Sequence, residues 1–476
     1  MSEQPIPLPR IIQGGMGVAV SNWRLARTVA ATGQLGVVSG TGIDTVLVRR
    51  LQDGDLDGST RRAMEHFPIP GVAAEVVRRY FRPAGRPPGT PYKTLPMYRQ
   101  QVSAARELVT VLANFVEVFL AKEGHAGPVG VNLLTKVQLP TLASLYGAML
   151  AGVDYVIMGA GIPREIPAVL DGYVEHRPAE LRLDVIGGEP GQMRFDPRAF
   201  WSSPERALRR PRFLPVVSAA SLAATLARKA NGRVDGFVVE GPTAGGHNAP
   251  PRGELRLNER GEPVYGTRDV VDLAKMRELG LPFWLAGGTG SPERLAAALA
   301  EGAAGIQVGT LFAFCDESGL TPDIKRRVLA AAASGTASVF TDPRASPTGY
   351  PFKVIEGIGG AEEGGARQRV CDLGYLRVAA RTPEGRIVYR CPAEPVEAYV
   401  AKGGLAEEAV GRRCLCNGLM ADVGLPQWRP EGLEPELVTS GDDLGAAVAL
   451  AAGRRGYTAG EVLDHLLASH PDPVTR

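Results

Sequence analysis

Cysteine is scarce in this chain, five residues in 476, too sparse for a disulfide scaffold. Long apolar runs are missing too. No window reaches the roughly 18 apolar residues that a membrane-spanning helix needs, so no membrane association is expected. Net charge is almost absent, +2 from 53 basic and 51 acidic residues. A nucleic-acid-binding chain would normally show a concentrated basic face, so no nucleic-acid partner is expected. Arginines do cluster at Arg78 to Arg86 and at Arg206 to Arg212, but acidic residues lie nearby and both read as solvated loops. Met1 to Arg10 has no apolar run behind a basic start, so it is not a secretory signal. These absences together point to a soluble cytoplasmic protein, long enough for a sizeable core.

A dinucleotide fingerprint is also missing. No G-x-G-x-x-G is followed by an acidic residue about 20 positions on. What is present is an alternation of short apolar runs with helical patterns. The runs fall at 10–17, 35–40, 128–134, 154–159, 214–219, 235–241, 282–288 and 305–309. Helices are predicted at 23–31 (capped by Ser21), 43–51, 71–81, 101–123, 138–151, 164–171, 220–230, 267–279, 293–301 (capped by Ser291, with Pro292 first) and 321–334. The runs are too uniformly apolar to be half exposed, which suits parallel strands covered on both faces. Eight strand–helix units give an α/β fold, a (β/α)8 TIM barrel.

Two insertions interrupt the alternation. Residues 53–100 lose periodicity, and 181–213 read as a hairpin plus a basic helix. A polar stretch, 254–266, reads as a smaller hairpin. The barrel, with its insertions, is expected over 1–350. Residues 351–476 read as a C-terminal cap of helical and irregular segments, with helices at 394–401, 405–411, 442–452 and 459–469.

Glycines collect where strands one, six, seven and eight end, as expected if the C-terminal rim of the barrel is one site. Leu285 to Gly290 and Gln307 to Thr310 occupy the loops after strands seven and eight. There, exposed amides and the Thr310 hydroxyl suit a phosphate. From that point a flat ligand would cross the mouth toward Gly14, Gly15, Met16 and Gly17, with Asn132 offering one side-chain amide. Between them runs Glu240-Gly241-Pro242-Thr243-Ala244-Gly245-Gly246-His247, which sets an imidazole on a loop stiffened by Pro242, Pro250 and Pro251. These features suit a flavin better than a sugar phosphate.

The residues Ile12 to Gly17, Gly130 to Leu133, Glu240 to His247, Ala286 to Gly288 and Gln307 to Thr310, with an echo at Ser346 to Pro351, resemble the nitronate monooxygenase family, formerly 2-nitropropane dioxygenases. These are FMN enzymes on a TIM barrel, in a superfamily that also holds flavin-dependent enoyl-acyl-carrier-protein reductases. The resemblance implies that Gly14, Gly15, Met16 and Asn132 touch the flavin ring. It implies that Gly245, Gly246, Gly287, Gly288, Gln307, Gly309 and Thr310 line the rest of the FMN site, and that His247 is the catalytic base. The implied reaction oxidises a nitronate, nitroalkane or similar carbon acid with O2, and an imidazole is a suitable base near neutral pH. The chain departs from the family at Leu214 to Val217, which lacks the lysine often found early in strand five. The two insertions and the C-terminal arm are expected to reshape the substrate mouth. One alternative is an enoyl-thioester reductase using NAD(P)H, with an acyl carrier protein as partner, for which Arg206 to Arg212 would serve the phosphopantetheine arm. A non-catalytic flavin-binding partner subunit is another.

Cys371, Cys391, Cys414 and Cys416 fall in the C-terminal arm, and Cys315 stands apart. The four could bind a structural zinc or, alternatively, an iron–sulfur cluster. The competing reading is reduced, buried thiols. His66, His125, His176, His465 and His470 are isolated and carry no assigned role. Substrate, electron donor and oligomeric state leave no signature in the residues.

Overall fold

The structure, a computed structural model, describes residues 8–201, 204, 206–358 and 367–468. Eight of the apolar runs form the strands β1 (Ile11–Gln13), β2 (Gly36–Ser39), β3 (Val129–Leu134), β4 (Tyr155–Gly159), β5 (Arg212–Val217), β6 (Phe237–Glu240), β7 (Phe283–Ala286) and β8 (Gly305–Val308). From β2 to β8 each strand pairs in parallel with the next, and β8 pairs with β1. The seam between β1 and β2 closes through two backbone bonds. Gln13 N–H donates to the Leu35 carbonyl (2.9 Å) and Leu35 N–H to that of Ile11 (3.1 Å). The buried Gln13 side chain adds a third link, its Oε1 accepting from Val37 N–H at 2.9 Å. The sheet is therefore a closed TIM-type barrel, as the alternation of runs and helices predicts.

Strands this uniformly apolar are buried on both faces. Ile12, Val37, Tyr155, Ile157, Leu214, Val238 and Trp284 fill the barrel interior. Trp284 Nε1 donates to the Pro9 carbonyl (2.7 Å), which satisfies the indole at the closed end. A second, continuous core lies between strands and helices and extends into the C-terminal arm, including Leu437, Tyr457, Val462 and Leu466.

Most helices lie where their periodicity and caps put them, and Ser291 and Pro292 open Pro292–Ala300 as expected. Several local expectations are corrected. Asn22, not Ser21, caps Trp23–Ala30, accepting from Leu25 N–H at 3.0 Å. The stretch 267–279 is not one helix. Asp269 accepts from Gly266 and Arg252 N–H, and Asp272 caps a fresh start, leaving a 3-10 turn at Thr267–Asp269 and a helix at Leu273–Glu278. Residues 405–411 hold only a 3-10 turn, Ala406–Ala409. The inserted hairpin is present (Ala179–Leu183 against Gly191–Phe195), but no basic helix follows it among the described residues. Residues 202, 203 and 205 of that stretch lie outside them. Residues 254–266 make a tight return bridged at Leu257 and Pro263.

Beyond the barrel the chain forms an antiparallel pair that its sequence did not announce, β9 (Ser338–Asp342) with β10 (Phe352–Glu356). Its loop spans position 350. Further on, Val378–Arg381 pairs with Ile387–Arg390 and, in parallel, with Val185–Ile186 of the insertion. The helix Ala459–Leu467 packs on the barrel helices Trp23–Ala30 and Pro292–Ala300.

Candidate active site

A cavity of about 250 Å³ opens at the C-terminal ends of the strands. Its wall contains every expected flavin residue: Gly14, Gly15, Met16, Asn132, Gly245, Gly246, Gly287, Gly288, Gln307, Gly309 and Thr310, and His247 with them. None of the residues of 53–100 or 181–213 lines it. The mouth is reshaped instead by the arm, through Leu419, Asp422, Thr439, Ser440, Gly441, Asp443 and Ala446.

The loop after β1 is shaped by Ser21. Its Oγ accepts from Met16 N–H (2.8 Å) and from Gln13 Nε2 (2.7 Å), and donates to the Gly14 carbonyl (2.8 Å). This holds Gly15 flat against β3, where a Cβ on it would sit 2.1 Å from Asn132 Cβ. Only glycine lets the loop lie beside Asn132. On the far side Gly287 (φ 94°) and Gly288 (φ 63°) turn the chain sharply after β7. A Cβ on Gly287 would lie 2.9 Å from Thr243 Oγ1.

His247 is fixed by the β9–β10 hairpin. Lys353 N–H donates to the Gly246 carbonyl (2.9 Å) and Asn248 N–H to that of Pro351 (3.0 Å). The imidazole stands edge-on to Phe352, with ring centroids 4.9 Å apart, and its Nε2 lies 2.7 Å from Ser346 Oγ. Burial lowers its pKa to about 4, so the ring is neutral at neutral pH and able to accept a proton. Glu240, which ends β6, also lines the cavity. Burial raises its carboxyl to about 8, so it is protonated at neutral pH. Sequence reasoning placed Glu240 in the motif without giving it a role, and it missed Ser21 and the residues of the arm.

Two polar atoms facing this region are buried without a partner, Gln307 Oε1 and Ser440 Oγ. Buried polar atoms are normally paired, so both fit a polar ligand in the cavity. No lysine or arginine is among the lining residues, and hydroxyls and backbone amides are what remains to meet an anion. The amide of Gly246, one of the expected FMN residues, is already used, since it donates to Thr439 Oγ1 (3.1 Å).

The basic stretch at 206–212 lies at the other end of the barrel. Arg212 begins β5, Arg209 pairs with Asp154 just before β4, and Arg210 pairs with Asp171 (2.5 Å) and Asp235 (2.7 Å), the latter just before β6. It cannot serve a ligand arm entering the mouth. His66, His125, His176 and His465 do not line the cavity, and His470 lies outside the described residues.

The four arm cysteines do come together, around a small apolar pocket with Leu373, Leu376 and Ala393. Among the described residues, however, no group of three or more His, Cys, Asp or Glu is arranged to hold a metal ion. Burial pushes the Cys371 thiol up to about 11 and raises Cys391, Cys414 and Cys416 as well, which disfavours the thiolates a metal needs. The expected zinc or iron–sulfur site is thus not shown among the described residues. No helix among the described residues is long and apolar enough to cross a membrane.

Residues 202–346 match the family model described as nitronate monooxygenase. A nitronate monooxygenase of Pseudomonas aeruginosa is 34% identical over 121 residues, 25% of this chain and 33% of the relative. A Mycobacterium tuberculosis protein, (3aS,4S,5R,7aS)-5-hydroxy-7a-methyl-1-oxo-octahydro-1H-indene-4-carboxyl-CoA dehydrogenase, is 36% identical over 102 residues, 21% of this chain and 25% of the relative. The chain thus aligns with a third or less of either curated relative. Among solved structures, FabK from Thermotoga maritima covers 97% of this chain and 92% of its own at 17% identity, with a TM-score of 0.44. A nitroalkane oxidase from Streptomyces ansochromogenes covers 97% and 95% at 16% identity, also with a TM-score of 0.44. The fold assignment rests on the strand order.

Proposed function

We propose that this chain, whose residues 202–346 carry the nitronate monooxygenase family match, is an FMN-dependent oxidoreductase that acts on a nitronate, a nitroalkane or a similar carbon acid with O2. The observation that carries the reading is the convergence of His247, Asn132 and the four glycine-rich strand ends on one cavity with two unpartnered buried polar atoms. FMN, when bound, would supply electron exchange with the substrate and then with oxygen. Gly14 to Met16 and Asn132 would hold its ring, and the loops after β7 and β8 its phosphate.

His247 is the group placed to take a proton from the carbon next to the nitro group. Its neutral state leaves a lone pair for that proton, and the hydrogen bond with Ser346 fixes the plane of the ring. Glu240, uncharged at neutral pH, adds no negative field against an anionic substrate. Phe352 and Leu419 make part of the cavity wall apolar.

A thioester substrate is the second reading, because one relative is named a carboxyl-CoA dehydrogenase and a thioester also acidifies its neighbouring carbon. The position of Arg206 to Arg212 removes the basic patch that favoured an acyl carrier protein with NAD(P)H as reductant. The deciding experiment is anaerobic and uses the FMN-loaded protein. Bleaching of the flavin bands by a nitronate, and not by NAD(P)H, supports the first reading. Bleaching by NAD(P)H alone replaces it with an enoyl-thioester reductase. Bound flavin that persists with no turnover in wild type and in His247→Ala alike leaves a non-catalytic flavin-binding subunit.

A further inference from the structure

We infer that the C-terminal arm completes the cofactor site, with the Ser440 hydroxyl as a direct ligand of the FMN phosphate and Thr439 beside it. This rests on the flavin reading above and adds a part of the chain that the glycine loops did not implicate.

The turn Thr439-Ser440-Gly441 interlocks with the loop that follows β6. Gly246 N–H donates to Thr439 Oγ1 (3.1 Å), Asp442 N–H to the Thr243 carbonyl (3.1 Å), and Gly441 N–H to Thr310 Oγ1 (3.1 Å). The approach is backbone on backbone, since a Cβ on Gly245 would lie 2.7 Å from Gly441 N. The turn is also tied down from behind. Ile355 N–H of β10 donates to the Val438 carbonyl (2.9 Å). The buried Lys353 amine pairs with Asp442 Oδ1 (2.6 Å) and donates to Thr341 Oγ1 (2.7 Å). A turn held this firmly presents its side chains in fixed positions.

Three hydroxyls gather at this end of the cavity, those of Thr310, Thr439 and Ser440. Thr310 and Thr439 each accept a backbone N–H and keep their own proton to give. Ser440 is 4% exposed and its Oγ is buried with no partner in the protein. A rigid turn that buries an unpaired hydroxyl beside Gly245, Gly246 and Thr310 has a polar partner in the bound state. An acceptor-only phosphate fits these hydroxyl donors, which with backbone amides are what the lining residues, lacking lysine and arginine, offer it.

The test compares FMN with riboflavin, which lacks the phosphate, binding to the flavin-stripped full-length protein and read by fluorescence quenching. Ser440→Ala is expected to weaken FMN about tenfold or more while leaving riboflavin affinity and the melting temperature of the flavin-free protein unchanged. Thr439→Val is expected to weaken FMN in the same selective way. Unchanged FMN affinity in Ser440→Ala, or equal losses for FMN and riboflavin, would overturn the inference while the flavin reading stands. Wild-type protein that takes up riboflavin and FMN equally would also overturn it. Wild type that takes up neither would overturn the flavin reading itself.

Discussion

His247 Nε2 and Ser346 Oγ meet at 2.7 Å although 99 positions separate them in sequence. The serine is wholly buried, and its hydroxyl also lies 2.8 Å from Thr348 Oγ1. The imidazole is held by a residue from outside its own loop. His247→Ala should lower kcat by about 10²–10⁴-fold, the usual range for a positioned general base, while FMN stays bound. Ser346→Ala should have a smaller effect, on the order of tenfold, concentrated in kcat and not KM. Equal kcat in wild type and His247→Ala under saturating nitronate would remove the base from this position.

The pH profile should be wide on the acid side. Burial lowers His247 from its ordinary 6.5 to about 4, so the neutral base persists as pH falls through 6 and 5. Linkage has the same sign: protonation favours the unfolded chain between these two values, and stability falls as pH drops from 6.5 toward 4. On the alkaline side Glu240 ionises near 8, and an anion in the wall should then oppose an anionic substrate. The profile of kcat/KM against pH should therefore fall below about pH 4 and above about pH 8. A drop centred at 6.5 would contradict the acid limb, and loss of the fall above pH 8 in Glu240→Gln would tie the alkaline limb to that carboxyl.

Gly287→Ala should cost flavin affinity before it costs the fold. Alanine at φ 94° is strained, and its Cβ would press on Thr243 Oγ1 at 2.9 Å. The left-handed conformation alone costs roughly 1–2 kcal/mol. The loop is expected to relax by moving, carrying Gly288 with it. Equilibrium dialysis against FMN reads the loss directly, and an unchanged dissociation constant would show that this turn does not hold the cofactor.

Asp44 should be the acid-sensitive anchor of the arm. Burial alone would raise its carboxyl, but Arg106 at 2.8 Å, with the hydroxyls of Tyr375 and Thr110, holds it below its ordinary 3.8. That stabilisation is present above 3.8 and is lost as pH falls through the lowered value. Asp44→Ala would leave Arg106 buried without its carboxylate and should cost about 3–5 kcal/mol in urea denaturation. A loss under 1 kcal/mol would mean that water reaches the site.

Arg209→Ala and Arg210→Ala should leave turnover unaffected, because Asp154 and Asp235, which pair with them, lie at the strand starts, away from the mouth. A rise in KM for a thioester substrate with either variant, without loss of stability, would bring the carrier-protein reading back.

The sequence by itself determined the barrel and the members of its rim. Eight apolar runs at helix-separated spacing have one closed way to bury both faces, and each glycine cluster lies at a strand end whatever the arm does. The cap at Ser291 is equally local: its hydroxyl lies three residues from the amide it accepts from. Tertiary structure alone decided the rest, because the partners are distant in sequence. Ser21 could cap a helix or shape the β1 loop, and only burial beside Gln13 and Gly14 settles which. The arginines of 206–212 read as a solvated loop, with a ligand arm as the alternative, and the strand direction puts them at the end away from the mouth. The four cysteines converge on one small pocket, where burial raises the Cys371 thiol, and that meeting of distant positions is a product of the fold. The turn at 439–441 carries no motif of its own, and it reaches the cavity because Lys353 and Ile355 of β10 bind it there. A long-range contact of this kind has no periodicity and no local signal, so it appears only when the chain is folded.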